Sequence, residues 1–326
     1  MIKLRKAGPA GVNWTQSNKT DYSWHALCIT STGRIIAGGY HGGIWYSDDN
    51  GVNWTQSHKT NGYWNYFCAT STGRIIAGSD YGNGIWYSDD NGETWVRTNV
   101  TEGYWNYLCI TSTGRIIAGS YQSGIRYSDD NGINWTQSGR TDDSWSSLCI
   151  TSTGRIIASN YGAYTGIWYS DDNGVNWTQS NKANGHWFSL CVTPTGRIIA
   201  GNNIDGIWYS DDNGVNWTQS NKTDGYWKSL CATPTGRIIA GSDVYGIWYS
   251  DDNGVNWTQS NKTDDTWYSF HVTSTGRIIA GSNSNVIWYS DTTTAKNARE
   301  KYLDQNGAQE IVTQFKAYCD SLVGGA

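Results

Sequence analysis

Residues 227–260 read WKSLCATPTGRIIAGSDVYGIWYSDDNGVNWTQS, and close copies of this stretch follow one another along most of the chain. The segment TGRIIA occurs seven times. The tryptophan of the NW or TW step recurs every 40 to 42 residues, at Trp14, Trp54, Trp95, Trp135, Trp177, Trp217 and Trp257. Several short strands in a repeat of this length are typical of the blades of a β-propeller.

Each copy divides into four predicted strands. In residues 227–260 these strands are WKSLCAT, RIIAGS, GIWYS and NWTQS, which we label A to D. They are rich in β-branched and aromatic residues, whereas PTG, DDNGV and a variable loop between them carry the Gly, Asp and Asn of turns. The sequence therefore predicts an all-β protein.

The ends of the repeat array predict a closed ring. The array begins with a D strand, GVNWTQS at residues 11–17, and stops after the C strand of its last copy, IWYSD at residues 287–291. Pairing these two ends completes the last blade and protects both sheet edges. We predict a seven-bladed β-propeller of four-stranded blades over residues 1–291, closed by the N-terminal strand.

The last 35 residues or so differ from the repeat, so residues 292–326 are assigned to a second unit, a short α-helical C-terminal tail. One face of the predicted helix is apolar, at Ile311, Val312, Phe315, Cys319, Leu322 and Val323. Two interpretations remain open for it. The helix either docks on the propeller or serves self-association or attachment to a larger assembly.

Composition excludes several classes of function. The chain has 326 residues, a formal net charge of −5 and no basic run, so we expect no nucleic acid partner. No apolar stretch is long enough to span a membrane. The first residues, MIKLRKAGPAGVNW, lack the apolar segment of a signal peptide. These features predict a cytoplasmic protein, with release or carriage on a larger assembly as the alternative.

Six cysteines share one position of strand A, and His271 takes that position in the last copy. A spacing of about forty residues matches no zinc motif, and inner strands of neighbouring blades diverge beyond disulfide reach. We expect buried free thiols, which agree with a reducing compartment, and we expect no metal and no cofactor. A metal held by a ring of thiols is the alternative. The cysteines are Cys28, Cys68, Cys109, Cys149, Cys191 and Cys231.

The turn between strands C and D fits the pattern S-x-D-x-G-x-x-W in six uninterrupted copies. An Asp side chain can bond backbone amides within the turn, Gly permits a left-handed backbone, and Trp packs on the sheet. We predict a structural role. A calcium loop is the alternative, but it would need a bidentate Glu, and none recurs. The structural residues are Asp49, Asp90, Asp130, Asp172, Asp212 and Asp252.

On these six motifs the chain resembles the Asp-box (BNR) repeat proteins of the sialidase-like propeller superfamily, over about residues 11–291. The resemblance implies that the box is a structural turn. It also raises the question of sialidase chemistry, in which an arginine cluster holds a carboxylate. Here the seven repeated arginines open strand B beside the boxes, so a local ion pair such as Arg34 with Asp48 or Asp49 is expected.

A catalytic assignment finds little support. The family's Tyr and Glu nucleophile pair cannot be placed, because Glu occurs in the propeller only at Glu93 and Glu102. Catalysis also requires an acid, a nucleophile and a stabiliser in different roles, whereas repeats supply the same residues seven times. We expect no enzyme, with a degenerate glycosidase as a minor alternative.

The two ends of the propeller differ in how strongly the copies vary. The A–B and C–D turns lie on one end, the invariant face, and scarcely change. The B–C loops and the connectors from D to A lie on the other end, the variable face. Its differences are mostly Tyr, Asn, Ser, Asp, His and Gly, which reflect either loop drift or adaptable recognition of a polar ligand.

From this pattern we predict a noncatalytic, multivalent recognition protein, lectin-like, that binds carbohydrate in grooves between adjacent blades. The alternatives are a protein-binding scaffold and a recently amplified propeller without a ligand. The partner is thus a glycan or a protein surface. For the connector tryptophans, blade packing is the alternative. The candidate binding residues are Tyr40, Tyr63, Trp64, Tyr81, Tyr104, Trp105, Tyr121, Tyr161, His186, Trp187, Tyr226, Trp227 and Tyr245.

Overall fold

The computed structural model describes residues 14–290, apart from 20–21, 81–82, 142–143, 162–165, 183, 274–275 and 285. Within these ranges the chain forms seven separate four-stranded sheets and no helix. The prediction of a seven-bladed all-β propeller with four-stranded blades is confirmed. The helical tail predicted for residues 292–326 lies outside the described residues, as does the candidate Tyr81.

Every blade has its strands in the order A-B-C-D, all antiparallel, and the A strands of neighbouring blades contact one another around the axis. The A strands are β2 (Ser23–Ile29), β6 (Trp64–Ala69), β10 (Trp105–Ile110), β14 (Trp145–Ile150), β18 (Trp187–Val192), β22 (Trp227–Ala232) and β26 (Trp267–Val272). The B strands are β3 (Ile35–Tyr40), β7 (Ile75–Ser79), β11 (Ile116–Ser120), β15 (Ile156–Asn160), β19 (Ile198–Asn202), β23 (Ile238–Ser242) and β27 (Ile278–Ser282).

The outer half of each blade is shorter. The C strands are β4 (Ile44–Ser47), β8 (Ile85–Ser88), β12 (Ile125–Ser128), β16 (Ile167–Ser170), β20 (Ile207–Ser210), β24 (Ile247–Ser250) and β28 (Ile287–Ser290). The D strands are β1 (Thr15–Gln16), β5 (Thr55–Gln56), β9 (Val96–Arg97), β13 (Thr136–Gln137), β17 (Thr178–Gln179), β21 (Thr218–Gln219) and β25 (Thr258–Gln259). With two paired residues each, the D strands leave little open edge.

Strand D is shorter than the predicted NWTQS because its tryptophan belongs to the turn. In the first blade the Trp54 indole N–H donates to the Gly51 carbonyl at 3.1 Å, and pairing with strand C starts only at Thr55. The same indole bond recurs in the described boxes that follow. The box therefore ends one element and starts the next.

The hydrophobic core lies between blades. Ile35 and Ile36 of the first B strand are fully buried, as are their counterparts in the other blades. Between the first and second blades, Ile36 packs with Trp64 and Phe67 of the following blade. Because each blade covers the apolar face of its neighbour, the ring must close for every face to be buried.

The N-terminal strand closes the ring as predicted. Thr15 pairs with Tyr289 and Gln16 pairs with Trp288. Trp14, 8% exposed, packs against Trp267 in the same interblade cluster. The last blade therefore combines strands from the two ends of the repeat array.

Candidate functional site

The Asp-box turns of the invariant face are held by a closed set of hydrogen bonds. The Ser47 hydroxyl accepts from the Gly51 amide at 2.9 Å and donates to Asp49 at 2.9 Å. Asp49 accepts from the backbone and side-chain amides of Asn53 at 2.8 and 2.7 Å. Gly51 has a φ of +84°, which glycine adopts without strain. Equivalent bonds occur at Asp90, Asp130, Asp172, Asp212 and Asp252.

These bonds stabilise the ionised carboxylate. Burial alone would raise the pKa of Asp49, but the hydrogen bonds from Asn53 and Ser47 outweigh it and lower that pKa below its usual value. The box therefore gives its Asp a structural part in the turn.

The repeated arginines brace neighbouring blades on the same face. Arg34 binds Asp48 through two hydrogen bonds of 2.7 and 2.9 Å, which confirms the predicted local ion pair. Its third nitrogen donates to the Asn91 carbonyl in the box of the next blade at 3.2 Å. At the ring closure Arg277 donates in the same way to the Asn50 carbonyl at 2.8 Å. These arginines are engaged in the scaffold and do not form a carboxylate-binding cluster.

On the variable face every A strand contains a bulge. In the second blade the pairing register shifts between Trp64 and Tyr66, so Asn65 between them is unpaired. All seven bulge residues line one cavity on the propeller axis, with a volume of about 900 Å³. We call it the axial cavity. Its bulge residues are His25, Asn65, Asn106, Ser146, Phe188, Lys228 and Tyr268.

The axial cavity is deeper on one side. Next to the bulge, the second and third blades carry Tyr66 and Tyr107, whose rings lie 4.2 Å apart between centroids and fill their part of the channel. The fourth to seventh blades carry serine at this position. On that side the cavity descends to Cys191, Cys231 and His271. Residue size at one strand position thus sets the shape of the cavity.

The polar groups of the axial cavity are partly paired. Lys228 forms an ion pair with Asp243 at 3.1 Å, and its ammonium group lies 5.0 Å from the centroid of the Tyr268 ring. The His25 ring stacks on the Tyr268 ring, with their centroids 4.0 Å apart. Asn65 donates to the Asn106 side chain at 2.9 Å.

Both histidines of the cavity are neutral at pH 7. Burial, together with the nearby Lys228 ammonium, lowers the pKa of His25 to about 4. Burial alone lowers the pKa of His271 to about 4. The charged residues that line the axial cavity are therefore Lys228, Asp80 and Asp243.

The structure brings together three of the predicted tyrosines in the axial cavity. Tyr121 and Tyr161 come from B–C loops, and Tyr226 comes from a connector. Tyr161 lies 4.8 Å from Phe188 between ring centroids, and Phe188 lies 6.3 Å from Tyr226. These rings form a continuous aromatic wall across the fourth, fifth and sixth blades.

A smaller groove of about 260 Å³ lies between the first and second blades, lined by His41, Lys59 and Tyr63 among others. The Tyr63 hydroxyl lies 2.9 Å from the His41 ring nitrogen, and Tyr40 contacts the Tyr63 ring edge-on at 4.5 Å. This is the kind of interblade groove predicted from the sequence, here between one pair of blades.

The connector tryptophans lie in the core. Trp64, Trp105, Trp187 and Trp227 are at most 1% exposed and pack between blades. Their indole N–H groups donate to carbonyls three residues earlier. These contacts correspond to the packing alternative, and Trp64 also lines the groove between the first and second blades.

The remaining candidates lie outside the cavity and the groove. Tyr104 contacts Tyr121 with ring centroids 6.5 Å apart, and His186 contacts Tyr161 at 5.3 Å. Tyr245 is 42% exposed, and the Lys222 ammonium lies 5.7 Å from its ring. Whether any of these residues binds a ligand stays a prediction.

Sequence reasoning did not place the bulge residues in a site. Their signal was present, because strand A is nearly constant among copies except for the two residues after its tryptophan. An extended strand points such residues alternately to its two faces. Only the bulge directs one residue of every blade to the axis.

The thiol positions carry no metal-binding geometry. Among the described residues, no group of three or more His, Cys, Asp or Glu side chains could hold a metal ion. The six described cysteines are free, and burial raises the pKa of Cys68 and Cys149 to about 12. In the same part of the chain, no helix has the length and apolar character needed to cross a membrane.

Comparison with known proteins supports the repeat and the fold. The family model for the BNR/Asp-box repeat matches residues 86–97 and 126–137. No curated protein sequence matches the chain. Virginiamycin B lyase from Staphylococcus aureus is a similar solved structure, with a TM-score of 0.71 and 10% identity over 86% of this chain and 99% of that one.

YCF48 is similar to the same degree. YCF48 from Cyanidioschyzon merolae has a TM-score of 0.70 and 13% identity over 85% of this chain and 98% of its own. A structure of YCF48 bound to D1 peptide has a TM-score of 0.70 and 16% identity over 90% of this chain and 100% of its own. At these identities the similarity shows the fold alone, and the fold is that of a propeller built from Asp-box repeats.

Proposed function

We propose that this Asp-box propeller is a noncatalytic recognition protein that binds carbohydrate through its variable face. The axial cavity is its main site, and the groove between the first and second blades is a second. The proposal rests on one observation. The strand position at which every blade bulges points into a single cavity, and that position differs among the blades.

The chemistry of the axial cavity suits a sugar. Ring faces such as Phe188 and Tyr226 can stack on the apolar face of a pyranose, while Asn106 and Ser146 offer hydrogen bonds to hydroxyl groups. A volume of about 900 Å³ accommodates a short oligosaccharide. The absence of catalysis is part of the proposal. Asp243 is held by Lys228 and by the Thr266 hydroxyl at 2.8 Å, which suits positioning rather than proton transfer.

A protein partner is the second candidate. Two aliphatic side chains on neighbouring B–C loops, Ile204 and Val244, are each 64% exposed, and they offer a sugar hydroxyl no hydrogen bond. The structurally similar YCF48 has been solved bound to D1 peptide, which also supports a protein partner. A cytoplasmic location, supported by the free thiols, and self-association through residues 292–326 remain further parts of the proposal.

A glycan array followed by titration tests the proposal. We expect Tyr226→Ala and Phe188→Ala to abolish binding at the axial cavity and Tyr63→Ala to weaken only the second site. Asp172→Ala, in a box on the invariant face, is the control. It should cost about 1 kcal/mol of stability, because alanine cannot accept the bonds that Asn176 donates to the exposed Asp172 carboxylate, but it should not change affinity.

A multivalent form of the glycan should bind roughly 10²–10⁴ times more tightly than its monovalent form if both sites engage one surface. Binding that survives Tyr226→Ala and Tyr63→Ala together would exclude the carbohydrate sites. A protein captured through Ile204 and Val244, with no glycan bound, would favour the scaffold.

A further inference from the structure

An Asn-Gly step can convert its own asparagine to an acid. Hydroxide takes the proton of the Gly amide, and the Gly nitrogen attacks Cγ of the Asn side chain. The N–Cγ bond forms as the Cγ–Nδ2 bond breaks, and Nδ2 leaves as ammonia with a proton from water. Water then opens the cyclic imide to aspartate or isoaspartate. Glycine favours the attack because it has no side chain to hinder the approach of its nitrogen.

This step occurs ten times in the chain, in three kinds of place. Six copies lie in the Asp boxes, two in connectors of the variable face, one in a B–C loop and one in the segment after the propeller, which lies outside the described residues. The asparagines are Asn50, Asn61, Asn83, Asn91, Asn131, Asn173, Asn184, Asn213, Asn253 and Asn306. One dipeptide is thus present in several environments of the same molecule.

The steps in the Asp boxes are fixed by hydrogen bonds. In the second blade the Gly92 amide donates to the Ser88 hydroxyl at 2.9 Å, and the Asn91 side-chain amide donates to the Thr32 hydroxyl of the preceding blade at 3.1 Å. The Asn91 carbonyl accepts from Arg34 at 3.2 Å. Both the attacking and the leaving nitrogen are therefore engaged, and the turn must open locally before it can react.

The other boxes repeat these bonds. The Gly amide donates to the box Ser at 2.9 Å in every one of the six. The side-chain bond from Asn to a Thr of the preceding blade recurs in the third to sixth blades at 2.7 to 3.1 Å. Protection of the box asparagines is thus a property of the repeat.

The two connector steps lack this restraint. Asn61-Gly62 leads into the second blade and Asn184-Gly185 into the fifth, and both asparagines are exposed. Among the described residues, neither their side-chain amides nor the Gly amides make a hydrogen bond. Only the Asn carbonyls are engaged, by the indoles of the connector tryptophans. The attacking and leaving nitrogens of both steps are therefore free to approach their reacting positions.

The step in the B–C loop is intermediate. The Asn83 side chain donates to the Asp80 carbonyl at 3.3 Å. Gly84 is buried so closely that an added Cβ would lie 2.0 Å from the Val100 carbonyl oxygen. Because this backbone has little room to rearrange, we expect Asn83 to react more slowly than Asn61.

Another copy of the connector already carries the acidic form. The connector into the sixth blade has Asp224 before its glycine, and Asp224 pairs with Lys222 at 2.6 Å. Lys59 stands two residues before Asn61 and lies over a strand C tryptophan as Lys222 does, and Lys182 repeats this arrangement in the fifth blade. Burial lowers the pKa of Lys59, so a carboxylate beside it would stabilise its charged form.

We propose that Asn61 and Asn184 are sites of spontaneous deamidation in the folded protein, and that the box asparagines are protected. The modification places a new carboxylate on two connectors of the variable face. One of them lies in the groove between the first and second blades, which Asn61 lines. The charge of the variable face therefore becomes more negative with time. This inference does not depend on carbohydrate binding.

Peptide mapping of the full chain tests the proposal. The folded protein is incubated at mildly alkaline pH, and mass spectrometry follows the mass gain at each Asn-Gly step. We expect Asn61 and Asn184 to react at least about tenfold faster than the box asparagines, because the boxes must first open. No reaction at the two connectors, or equal rates in connectors and boxes, would overturn the inference.

The same incubation in urea separates the fold from the local sequence. All the steps share the same two residues, so connectors and boxes should react at similar rates once the chain is unfolded. A connector preference that persists unchanged in urea would come from flanking residues and would also overturn the inference.

A box variant tests the source of protection. Ser170→Ala removes the hydroxyl that accepts the Gly174 amide, so deamidation of Asn173 should become faster. Asn213, in the intact box of the next blade, is the control within the same molecule. An unchanged ratio of the two rates would show that the Ser bond does not protect the step.

Two further variants compare the products. Asn61→Asp introduces a carboxylate beside Lys59 and should leave the melting temperature at or above that of the wild type. Asn173→Asp is the matched box control, and it should lower the melting temperature because a carboxylate cannot donate to the Thr113 hydroxyl. A larger loss in Asn61→Asp than in Asn173→Asp would contradict the pairing with Lys59.

Discussion

At the scale of single residues, the differences between copies at one repeated position show what that position does. Six A strands place Cys at the position where the last blade has His271, which lines the floor of the axial cavity. The thiols stay uncharged because burial raises their pKa. The imidazole stays uncharged because burial lowers its pKa to about 4. The thiols and the imidazole at this level of the channel are therefore neutral at pH 7.

Replacing His271 by Cys should reduce the loss of stability in acid. The folded chain holds the imidazole pKa near 4, whereas the unfolded chain has the ordinary value of about 6.5. As the pH falls from about 6.5 towards 4, the unfolded state therefore binds the proton first and is stabilised. At pH 5 this difference in proton binding lowers the free energy of unfolding of the wild type by at most about 2 kcal/mol. His271→Cys should not show this loss.

Urea unfolding at pH 7 and pH 5 measures the difference. His58→Asn, which gives an exposed connector histidine the residue found in other copies, is the control. His25 and the Asp-box carboxylates are present in every protein compared, so their acid sensitivity cancels. Identical losses in wild type and His271→Cys would show that His271 does not resist protonation.

At the scale of the blade, paired changes in one copy reveal a contact. Five of the strand C tryptophans lie under a connector Lys, and Trp168 lies under Arg140 at 4.1 Å. The third blade has Arg126 where the others have Trp, and its connector has the buried Val100 where the others have Lys or Arg. In this blade the cation is therefore on strand C and the apolar residue is in the connector. Val100 leaves no second cation beside Arg126.

This exchange predicts a strong coupling between the two positions. Val100→Lys alone should destabilise the blade, because it places an ammonium group beside the Arg126 guanidinium. Arg126→Trp alone should leave a tryptophan without its cation. The double variant restores the pair of the other blades, so its cost should be smaller than the sum of the single costs by about 1 kcal/mol or more.

A double-mutant cycle by urea unfolding gives this coupling energy. Val96→Thr changes an exposed residue of the preceding D strand to that of the other copies, and serves as the control. Additive single effects would show that the Lys and Trp positions do not interact.

At the scale of the whole molecule, ring closure is the decisive contact. No blade buries its own core, since the apolar face of each sheet is covered by the next blade. The contact between the last blade and the N-terminal strand therefore closes the ring. Its described contacts are Thr15 and Gln16 paired with β28, and Trp14 packed against Trp267 and Phe270.

Deleting residues 1–17 should destabilise the ring by at least about 3 kcal/mol, because the loss of Trp14 alone removes a large core side chain. It should also promote association, since β28 becomes an open strand edge. Thermal unfolding and size-exclusion chromatography measure the two effects. Deleting residues 1–10, which precede the repeat, is the control. Equal melting temperatures for both deletions would contradict closure by the N-terminal strand.

The sequence by itself determined the number of blades, the four strands of each, the closure of the ring and the roles of the box and of Arg34 with Asp48. It could do so because these features depend on spacing and local hydrogen bonds, which seven copies repeat. It overestimated strand D, since the sequence does not show that Trp54 belongs to the turn. Only the tertiary structure decided which variable positions meet. The bulge in each A strand turns seven residues, far apart in the chain, towards one axis, and Tyr66 and Tyr107 fill one side of the space they enclose.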